Sequence, residues 1–456
     1  MKFFCGRYIV LCALVVSIAG IADAQTNPVI TSWLQNTTGI KGRHYVKGNS
    51  TPINDNVLAN VQSVKYSANW VYINTHGVPA YITGPFLDGN PSVTTDQNAI
   101  FKMPLNPQKN TGTASPTTMG NIGIFINGVA LFDYRDGVSW QTSTNSLKGG
   151  PLMGQGDLVW NRDAVVAERK GFDCAKGHPA MGNYHHHQNP SAFKLDKNVV
   201  STVCDLYDAD GLYLLDSTKH SALIGFAYDG FPIYGAYGYK NADGTGGIVR
   251  IKSSYRLRNI TVRTHYADGT DVLDGPPVNT TYPLGYFRED YEYVAPTAPD
   301  YLDEHNGRFC VTPEYPNGIY CYFTTVDEQW NSTFPYVVGP TFYGVKTAAK
   351  VNNITEQVTT YTAGTSDIEF SAELQQQVSV FPNPSNELIA VQFNNVAQQN
   401  YTVELYDELG KLINQTTLFQ GSTIAYFDAR TLYNGAYIVR ISNGALQATK
   451  KVLIAK

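Results

Sequence analysis

The sequence predicts an all-β protein, β-rich with a minor helical part, in which a large, loop-rich, sandwich- or barrel-like domain precedes a small β-sandwich. Composition supports this class, because the 456 residues include 31 tyrosines and 40 glycines while charged residues make up only 16%. Tyrosine favours strands and glycine favours turns. Apolar runs such as Trp70–Asn74 and Ile122–Ile126 also alternate with Asn-Gly and Asp-Gly pairs, and this rhythm is typical of β-hairpins.

Residues 1–24 are predicted to be a signal peptide. Lys2 and Arg7 form a basic start, and an apolar run follows from Ile9 to Ile21. Residues 22–24, Ala-Asp-Ala, supply the small side chains that signal peptidase accepts. The apolar run is shorter than the roughly 20 residues that a membrane-spanning helix needs. A leader is therefore favoured over an anchor, and we expect no membrane span in the mature chain.

The charge of the chain narrows the classes of partner. The formal net charge is −5 at pH 7. A mildly acidic protein does not attract the phosphate backbone of DNA or RNA, which basic surfaces bind. We therefore expect no nucleic-acid partner.

Four cysteines remain after the predicted leader: Cys174, Cys204, Cys310 and Cys321. An even number in an exported chain predicts two disulfides. Four cysteines allow three pairings, of which the local one, Cys174–Cys204 with Cys310–Cys321, is favoured. A cysteine metal site is disfavoured because the chain has no Cys-x-x-Cys pair.

The remainder of the chain divides into three parts. Residues 25–344 form the large domain, in which one short helix is predicted around Asn161–Lys170. Residues 345–377 are rich in Thr, Ala, Gln and Asn without an aromatic cluster, and they are predicted to be a linker. Residues 378–456 contain short alternating strands separated by turns, which predicts a small Ig-like β-sandwich.

The last part resembles a type IX (Por) secretion C-terminal sorting domain. The resemblance is carried by the Phe-Pro-Asn-Pro opening at 381–384, the turn at 406–411, the Asn-Gly-Ala-Tyr step at 434–437 and the ending at 450–454. It implies that the type IX secretion machinery is a partner and that the protein is secreted or held at the outer-membrane surface. The alternative is an adhesive Ig-like module without a sorting role.

Histidines are concentrated near the middle of the large domain. Residues two apart on a strand project from the same face, about 7 Å apart at the backbone, so His185 and His187 can reach one metal ion. Tyr184 and His186 would then point the other way. His178 lies seven residues before His185, past a turn predicted at 177–179, and can fold back onto the pair.

Two further segments offer ligands from distant strands. His220 begins a strand that ends in an Asp-Gly turn, and His305 opens a His-Asn-Gly-Arg run. The predicted ligand set is His178, His185, His187 and His220, with His305 as an additional candidate and Asp229 as a carboxylate that orients a ligand histidine. Imidazole ligands without thiolates suit Cu(II), Zn(II) or Ni(II), and copper and zinc are favoured.

These segments resemble the YHYH-domain family, named for its Tyr-His-Tyr-His motif. The resemblance spans about 120–345 and is carried by residues 177–179, 184–190, 220–221, 229–235, 305–308 and 312–315. The motif here reads Tyr-His-His-His at 184–187, so His186 replaces the second tyrosine and both motif histidines are retained. The resemblance implies a histidine-centred site but no particular reaction.

Several functions remain open at this point. The favoured one is a metal-binding surface protein, and the alternatives are a metal-free binding or adhesion module for a glycan or small molecule, a metal-dependent enzyme, and a histidine acid–base site without metal. The chain lacks a Gly-x-Ser-x-Gly elbow, a His-Glu-x-x-His helix and a phosphate-binding Gly-Lys-Ser/Thr loop. The familiar hydrolase and nucleotide-binding motifs therefore do not decide between them.

Overall fold

A computed structural model divides the chain into two compact units, Met1–Tyr361 and Thr362–Lys456. The structure describes residues 27–49, 51–88, 92–150, 155–190, 217–362, 369–370, 372–407, 411–443 and 446–456. The predicted signal peptide and Cys204 lie outside the described residues. None of the helices in the described ranges has the length and hydropathy that a membrane crossing requires.

Short strands dominate the first unit. Its helices are α1 (Pro28–Thr31) and α2 (Ala164–Ala167). Its strands are β1 (Lys41–His44), β2 (Ile53–Leu58), β3 (Val61–Tyr66), β4 (Trp70–Thr75), β5 (Ile82–Thr83), β6 (Ala99–Pro104), β7 (Asn121–Phe125), β8 (Ala130–Phe132), β9 (Arg135–Gln141), β10 (Ser146–Gly149), β11 (Asn161–Asp163), β12 (Gly177–Ala180), β13 (Asn183–His186), β14 (Leu223–Ala227), β15 (Pro232–Tyr234), β16 (Tyr237–Tyr239), β17 (Ile248–Arg250), β18 (Tyr255–Leu257), β19 (Tyr291–Tyr293), β20 (Gly307–Cys310), β21 (Ile319–Phe323), β22 (Ala349–Val351) and β23 (Thr359–Tyr361).

Two sheets form the body of this unit. The larger has the order β12-β13-β8-β7-β14-β15-β21-β20, and the smaller has the order β22-β6-β4-β3-β23. Side chains of both sheets share one apolar core, to which Val64 and Ile73 contribute from the smaller sheet and Ile124 and Phe226 from the larger. No sheet of the described residues closes into a barrel. The β-rich fold class is therefore confirmed, with open sheets around a common core.

The predicted short helix is present as α2 and a following 3-10 turn, Arg169–Gly171. Asp163 caps α2, because its carboxylate accepts hydrogen bonds from the backbone N–H groups of Val165 and Val166. A second buried contact fixes this cap, since the hydroxyl of Tyr336 donates to Asp163 over 2.8 Å. Glu168, which lies between the helix and the turn, is thereby held in a defined place.

Two segments of the predicted linker, residues 345–377, form strands in the structure. Ala349–Val351 pairs with β6 and Thr359–Tyr361 pairs with β3, both antiparallel. These segments complete the edges of the smaller sheet, and the division between the units falls after Tyr361. These segments form strands because threonine, valine and tyrosine favour strands, although the surrounding composition is typical of a linker.

The second unit is the predicted small β-sandwich. It contains α3 (Ala372–Gln377), β24 (Glu369–Phe370), β25 (Val378–Phe381), β26 (Leu388–Phe393), β27 (Tyr401–Tyr406), β28 (Leu412–Leu418), β29 (Ile424–Asp428), β30 (Gly435–Ser442) and β31 (Leu446–Ile454). The sheet orders are β24-β31-β30-β27-β28 and β25-β26-β29. Alternate residues of both sheets, such as Val391 and Val439, are buried in one core, as the alternating pattern of the sequence predicts.

The predicted Cys310–Cys321 disulfide is wrong, because both cysteines are buried free thiols. In the β20–β21 pair Cys310 faces Ile319, while Cys321 faces Arg308. The cysteines are therefore diagonal neighbours, and their thiol groups form a hydrogen bond instead of a disulfide. Cys174 is disulfide-bonded, but the pairing with Cys204 stays a prediction.

Candidate metal centre

The hairpin of β12 and β13 lies at the edge of the larger sheet. It and the residue after it carry the histidine cluster, which consists of His178, His185 and His187. The connection within the hairpin is the two-residue turn Met181–Gly182, and both residues have positive φ, 49° and 85°, which is typical of a type I′ turn. The turn is thus not at 177–179 as predicted, because those residues belong to β12. The predicted return of the chain is confirmed, since His178 stands directly opposite His185.

Three imidazoles converge on one face of this hairpin. The Nε2 atom of His187 lies 3.1 Å from Nε2 of His185 and 3.4 Å from Nε2 of His178. All three side chains are buried, and their ligand atoms lie within 4.8 Å of one another. The structure therefore brings together three of the four histidines that the sequence predicts as ligands.

Backbone carbonyls set the tautomers of two of these rings. Nδ1 of His185 lies 2.8 Å from the carbonyl oxygen of Asn183, and Nδ1 of His187 lies 2.6 Å from that of Asp133. A carbonyl oxygen can only accept a hydrogen bond, so each Nδ1 carries a proton. In the neutral rings both Nε2 atoms then present lone pairs to each other, and this arrangement suits a cation between them.

Glu168 adds a fourth donor that the sequence analysis missed. Its Oε2 atom lies 3.2 Å from Nε2 of His178 and 3.3 Å from Nε2 of His187. Within the described residues this buried oxygen has no well-aligned hydrogen-bond donor. An acidic side chain at the end of a short helix ten residues before His178 was the only signal available in the sequence, and its contact with the histidines arises from tertiary packing.

The spacing of these four donor atoms fits a tetrahedral ion. Zinc binds imidazole nitrogen at about 2.1 Å, so two donors on a tetrahedral ion lie about 3.4 Å apart. Four of the six separations among these donor atoms are 3.1, 3.2, 3.3 and 3.4 Å, and the ligand atoms of the three histidines all lie within 4.8 Å of one another. These four separations match an ion of this size, so the residues present fit it.

The cluster also shifts the acid–base properties of its members. Burial, and then the neighbouring His187 and His178, hold the pKa of His185 well below its ordinary value. Burial lowers the pKa of His187 as well, but contact with Glu168 outweighs it and raises the pKa. Burial would raise the pKa of Glu168, yet its contacts with His178 and His187 lower it. The carboxylate therefore stays charged beside at least one neutral imidazole.

Aromatic rings hold two of the imidazoles in place. The ring of Phe132 stacks on that of His185, with centroids 3.9 Å apart and an interplanar angle of 20°. Phe172 meets His178 edge to face at 4.9 Å. These contacts restrict the ring orientations, and they surround the nitrogen atoms with apolar groups that strengthen electrostatic interactions.

The opposite face of the hairpin carries a second buried polar group. The hydroxyl of Tyr184 lies 2.9 and 3.0 Å from the two carboxylate oxygens of Asp173. The hydroxyl of Tyr81 lies 2.8 Å from Nε2 of His186. Tyr184 and His186 thus point away from the histidine cluster, as strand alternation predicts.

Comparison with known protein families identifies both units. Residues 100–336, which include the whole histidine cluster and Glu168, match the family described as YHYH protein. The chain belongs to the YHYH protein family. Residues 379–455 match the secretion system C-terminal sorting domain, which implies interaction with the type IX secretion machinery and secretion to the extracellular space or cell surface. No curated protein matches the chain.

The remaining predicted site residues of this YHYH protein lie away from the cluster. His220 packs between the rings of Tyr234 and Tyr239, at centroid distances of 5.1 and 5.0 Å, and its Nδ1 lies 2.8 Å from the carbonyl oxygen of Ser221. His305 directs Nδ1 to the hydroxyl of Thr341 over 2.8 Å. Neither histidine joins the group of three described above.

Asp229 has a different role from the predicted one. Its buried carboxylate accepts hydrogen bonds from the hydroxyl of Tyr322 at 2.6 Å and from the backbone N–H groups of Gly344 and Phe231. No histidine is among the hydrogen-bond partners of Asp229 in the described part of the chain. The carboxylate therefore holds a tight loop to its neighbours instead of orienting a ligand.

Proposed function

We propose that this chain is a secreted or cell-surface protein that binds one copper or zinc ion through His178, His185, His187 and Glu168. The observation that carries the proposal is the convergence of four donor atoms, four of whose six mutual separations are 3.1–3.4 Å. Two imidazoles have their protons fixed on the outer nitrogen by backbone carbonyls. The group thus presents lone pairs and a negative charge to a single point, where a cation stabilises them.

The donor set favours ion binding over catalysis. Three imidazoles and one carboxylate suit Zn(II) or Cu(II), whereas Mg(II) and Ca(II) prefer oxygen ligands. Four protein donors complete a tetrahedral shell, which is typical of structural zinc, while catalytic zinc keeps a position for water or substrate. A bound ion would also join α2 to the hairpin, because Glu168 follows the helix and the histidines belong to β12, β13 and the residue after it.

Elemental analysis by mass spectrometry tests this proposal on the full chain purified without a histidine tag. We expect one tightly held copper or zinc ion per chain, and its loss in the variant His185→Ala/His187→Ala. His220→Ala is the matched control, because this histidine also lies among aromatic rings but outside the cluster. The control should retain the ion.

A metal-free function is the alternative, and Glu168 gives it some support. The carboxylate lies within ion-pair distance of two histidines, so a shared proton could replace the ion as the positive charge. Metal below one ion per chain in wild type and variant alike, unchanged after incubation with copper or zinc and dialysis, would reject the metal proposal. A surface binding or adhesion module would then be the better assignment.

A further inference from the structure

The four proposed ligands differ in their contact with solvent. The side chains of His178 and His187 are only 8% and 3% exposed, whereas that of Glu168 is 26% exposed. His185 is 2% exposed as a whole residue. The site therefore meets the solvent at Glu168, and the three histidines form its buried part.

The histidines are held from several directions. Backbone carbonyls accept hydrogen bonds from Nδ1 of His185 and His187, and the rings of Phe132 and Phe172 pack against His185 and His178. His178 also stands directly opposite His185 in the β12–β13 pair. Rotation of any of these imidazoles away from the site would break such a contact, so the three rings form a fixed set.

The carboxylate of Glu168 has no comparable support. It forms ion pairs with His178 and His187, and within the described ranges no other group donates a hydrogen bond to it. The backbone is fixed, however, because the Glu168 N–H donates to the Ala164 carbonyl over 2.8 Å and the Glu168 carbonyl accepts from the Gly171 N–H over 2.7 Å. Rotation about the side-chain bonds alone therefore moves the carboxylate into water, where a charged group is well solvated.

The charge next to the site also bears on what replaces the carboxylate. Asp136 is close enough to influence both Glu168 and His187, but Arg162 forms an ion pair with it inside the protein. An ion bound by three neutral imidazoles would keep its full positive charge once the carboxylate has left. It would therefore attract a negatively charged ligand.

We infer that Glu168 is a displaceable ligand, and that a small anion with a nitrogen or oxygen donor atom takes its position on the ion. This inference rests on the metal proposal. Three histidines with one open position are a donor set of catalytic zinc, so displacement of Glu168 converts a closed shell into an accessible one. The exchange breaks one bond from the ion to the Glu168 oxygen, forms one bond to the anion and transfers no electron.

Azide titration of the copper-loaded full chain tests the inference. Cu(II) is suitable whichever metal the protein holds, because such sites bind it more tightly than Zn(II). We expect azide to produce a charge-transfer absorption band in wild type, while perchlorate at the same ionic strength produces none. Glu168→Ala should bind azide about tenfold more tightly, because the competing carboxylate is gone, and Glu168→Gln should lie between the two.

Glu304→Ala is the matched control, because Oε1 of Glu304 lies 3.8 Å from Nε2 of His305 and its side chain is exposed outside the site. This variant should bind azide like wild type. Copper retained by wild type without an azide band, or equal azide affinity in wild type and Glu168→Ala, would overturn the inference and leave the metal proposal intact. Wild-type protein that retains no copper would overturn both.

Discussion

The two faces of the β12–β13 hairpin differ in how their buried polar groups are satisfied. On one face, Asp173 accepts hydrogen bonds from Tyr184 and from backbone N–H groups, and Nε2 of His186 lies 2.8 Å from the hydroxyl of Tyr81. On the other, the Nε2 atoms of His185 and His187 face each other across 3.1 Å while their Nδ1 protons are directed to carbonyls. The first face pairs its buried carboxylate with protein donors, and the second presents nitrogen lone pairs that the proposed cation would stabilise.

Alternate residues of Tyr184–His187 lie on opposite faces of the hairpin, because successive side chains on a strand point to opposite faces. Under the metal proposal, one face stabilises the fold and the other binds the ion. Substitutions on the Asp173 face should therefore reduce stability with little effect on metal binding. Substitutions on the ligand face should do the reverse.

The largest effect should follow removal of a ligand. His178→Ala deletes one of the converging nitrogen atoms and should lower metal affinity by more than the roughly 10–100-fold that loss of a supporting hydrogen bond costs. His186→Phe, on the other face, should keep one ion per chain. Competition with a chromogenic chelator measures both. Similar losses in the two variants would show that the faces are not functionally distinct.

Removal of the Asp173 carboxylate, on the face opposite the histidine cluster, should give the largest loss of stability. Asp173→Ala removes the partner of the Tyr184 hydroxyl and of three backbone N–H groups, those of Gly84, Ala175 and Gly177. We expect the free energy of unfolding to fall by about 3–5 kcal/mol, because buried donors are left unsatisfied. Urea denaturation measures the change. Asp271→Ala, whose side chain is 87% exposed, is the control and should unfold like wild type.

Part of the contribution of Asp173 to the free energy of unfolding should depend on pH. Burial raises the pKa of Asp173 to about 7 despite its hydrogen bonds, above the value of about 3.9 expected in an unfolded chain. The folded state thus favours the protonated form, and its stabilising contribution is full below about pH 4 and is lost as the pH rises through about 7. Unfolding from pH 4 to 8 should show a smaller pH dependence in Asp173→Asn than in wild type. Identical slopes would contradict the assignment.

The smallest effect concerns a single hydroxyl. Tyr81→Phe removes the group that lies 2.8 Å from Nε2 of His186 and keeps the ring that packs on Tyr184. The expected loss is about 1 kcal/mol, the usual net value of one hydrogen bond. Metal stoichiometry should remain at one. A change in stoichiometry without a change in stability would reverse the roles of the two faces.

Local pattern was enough to predict much of the fold and three of the four residues of the proposed site. The two-residue period of strands correctly placed His185 and His187 on one face and His186 on the other. The return of His178 was also predicted, although its turn was placed too early. The actual turn uses Met181 with positive φ, an uncommon conformation for methionine that sequence preferences do not indicate.

Contacts between distant segments could not be predicted in the same way. Glu168 reaches the histidines because the cap at Asp163 and its bond to Tyr336 position α2, and Tyr336 lies more than 160 residues away. His220 was predicted to begin a strand, but it lies in the segment before β14, where it packs among aromatic rings. The register of β20 and β21 also could not be predicted, and it places Cys310 two residues away from the position directly opposite Cys321.

Anomalous X-ray diffraction from crystals of the full chain, collected at the zinc and copper absorption edges, tests the central claim most directly. The account predicts one anomalous peak per chain, about 2.1 Å from the Nε2 atoms of His178, His185 and His187, with Glu168 as the fourth ligand. Crystals that show no peak after soaking in either metal, or a peak coordinated by other residues, would contradict it.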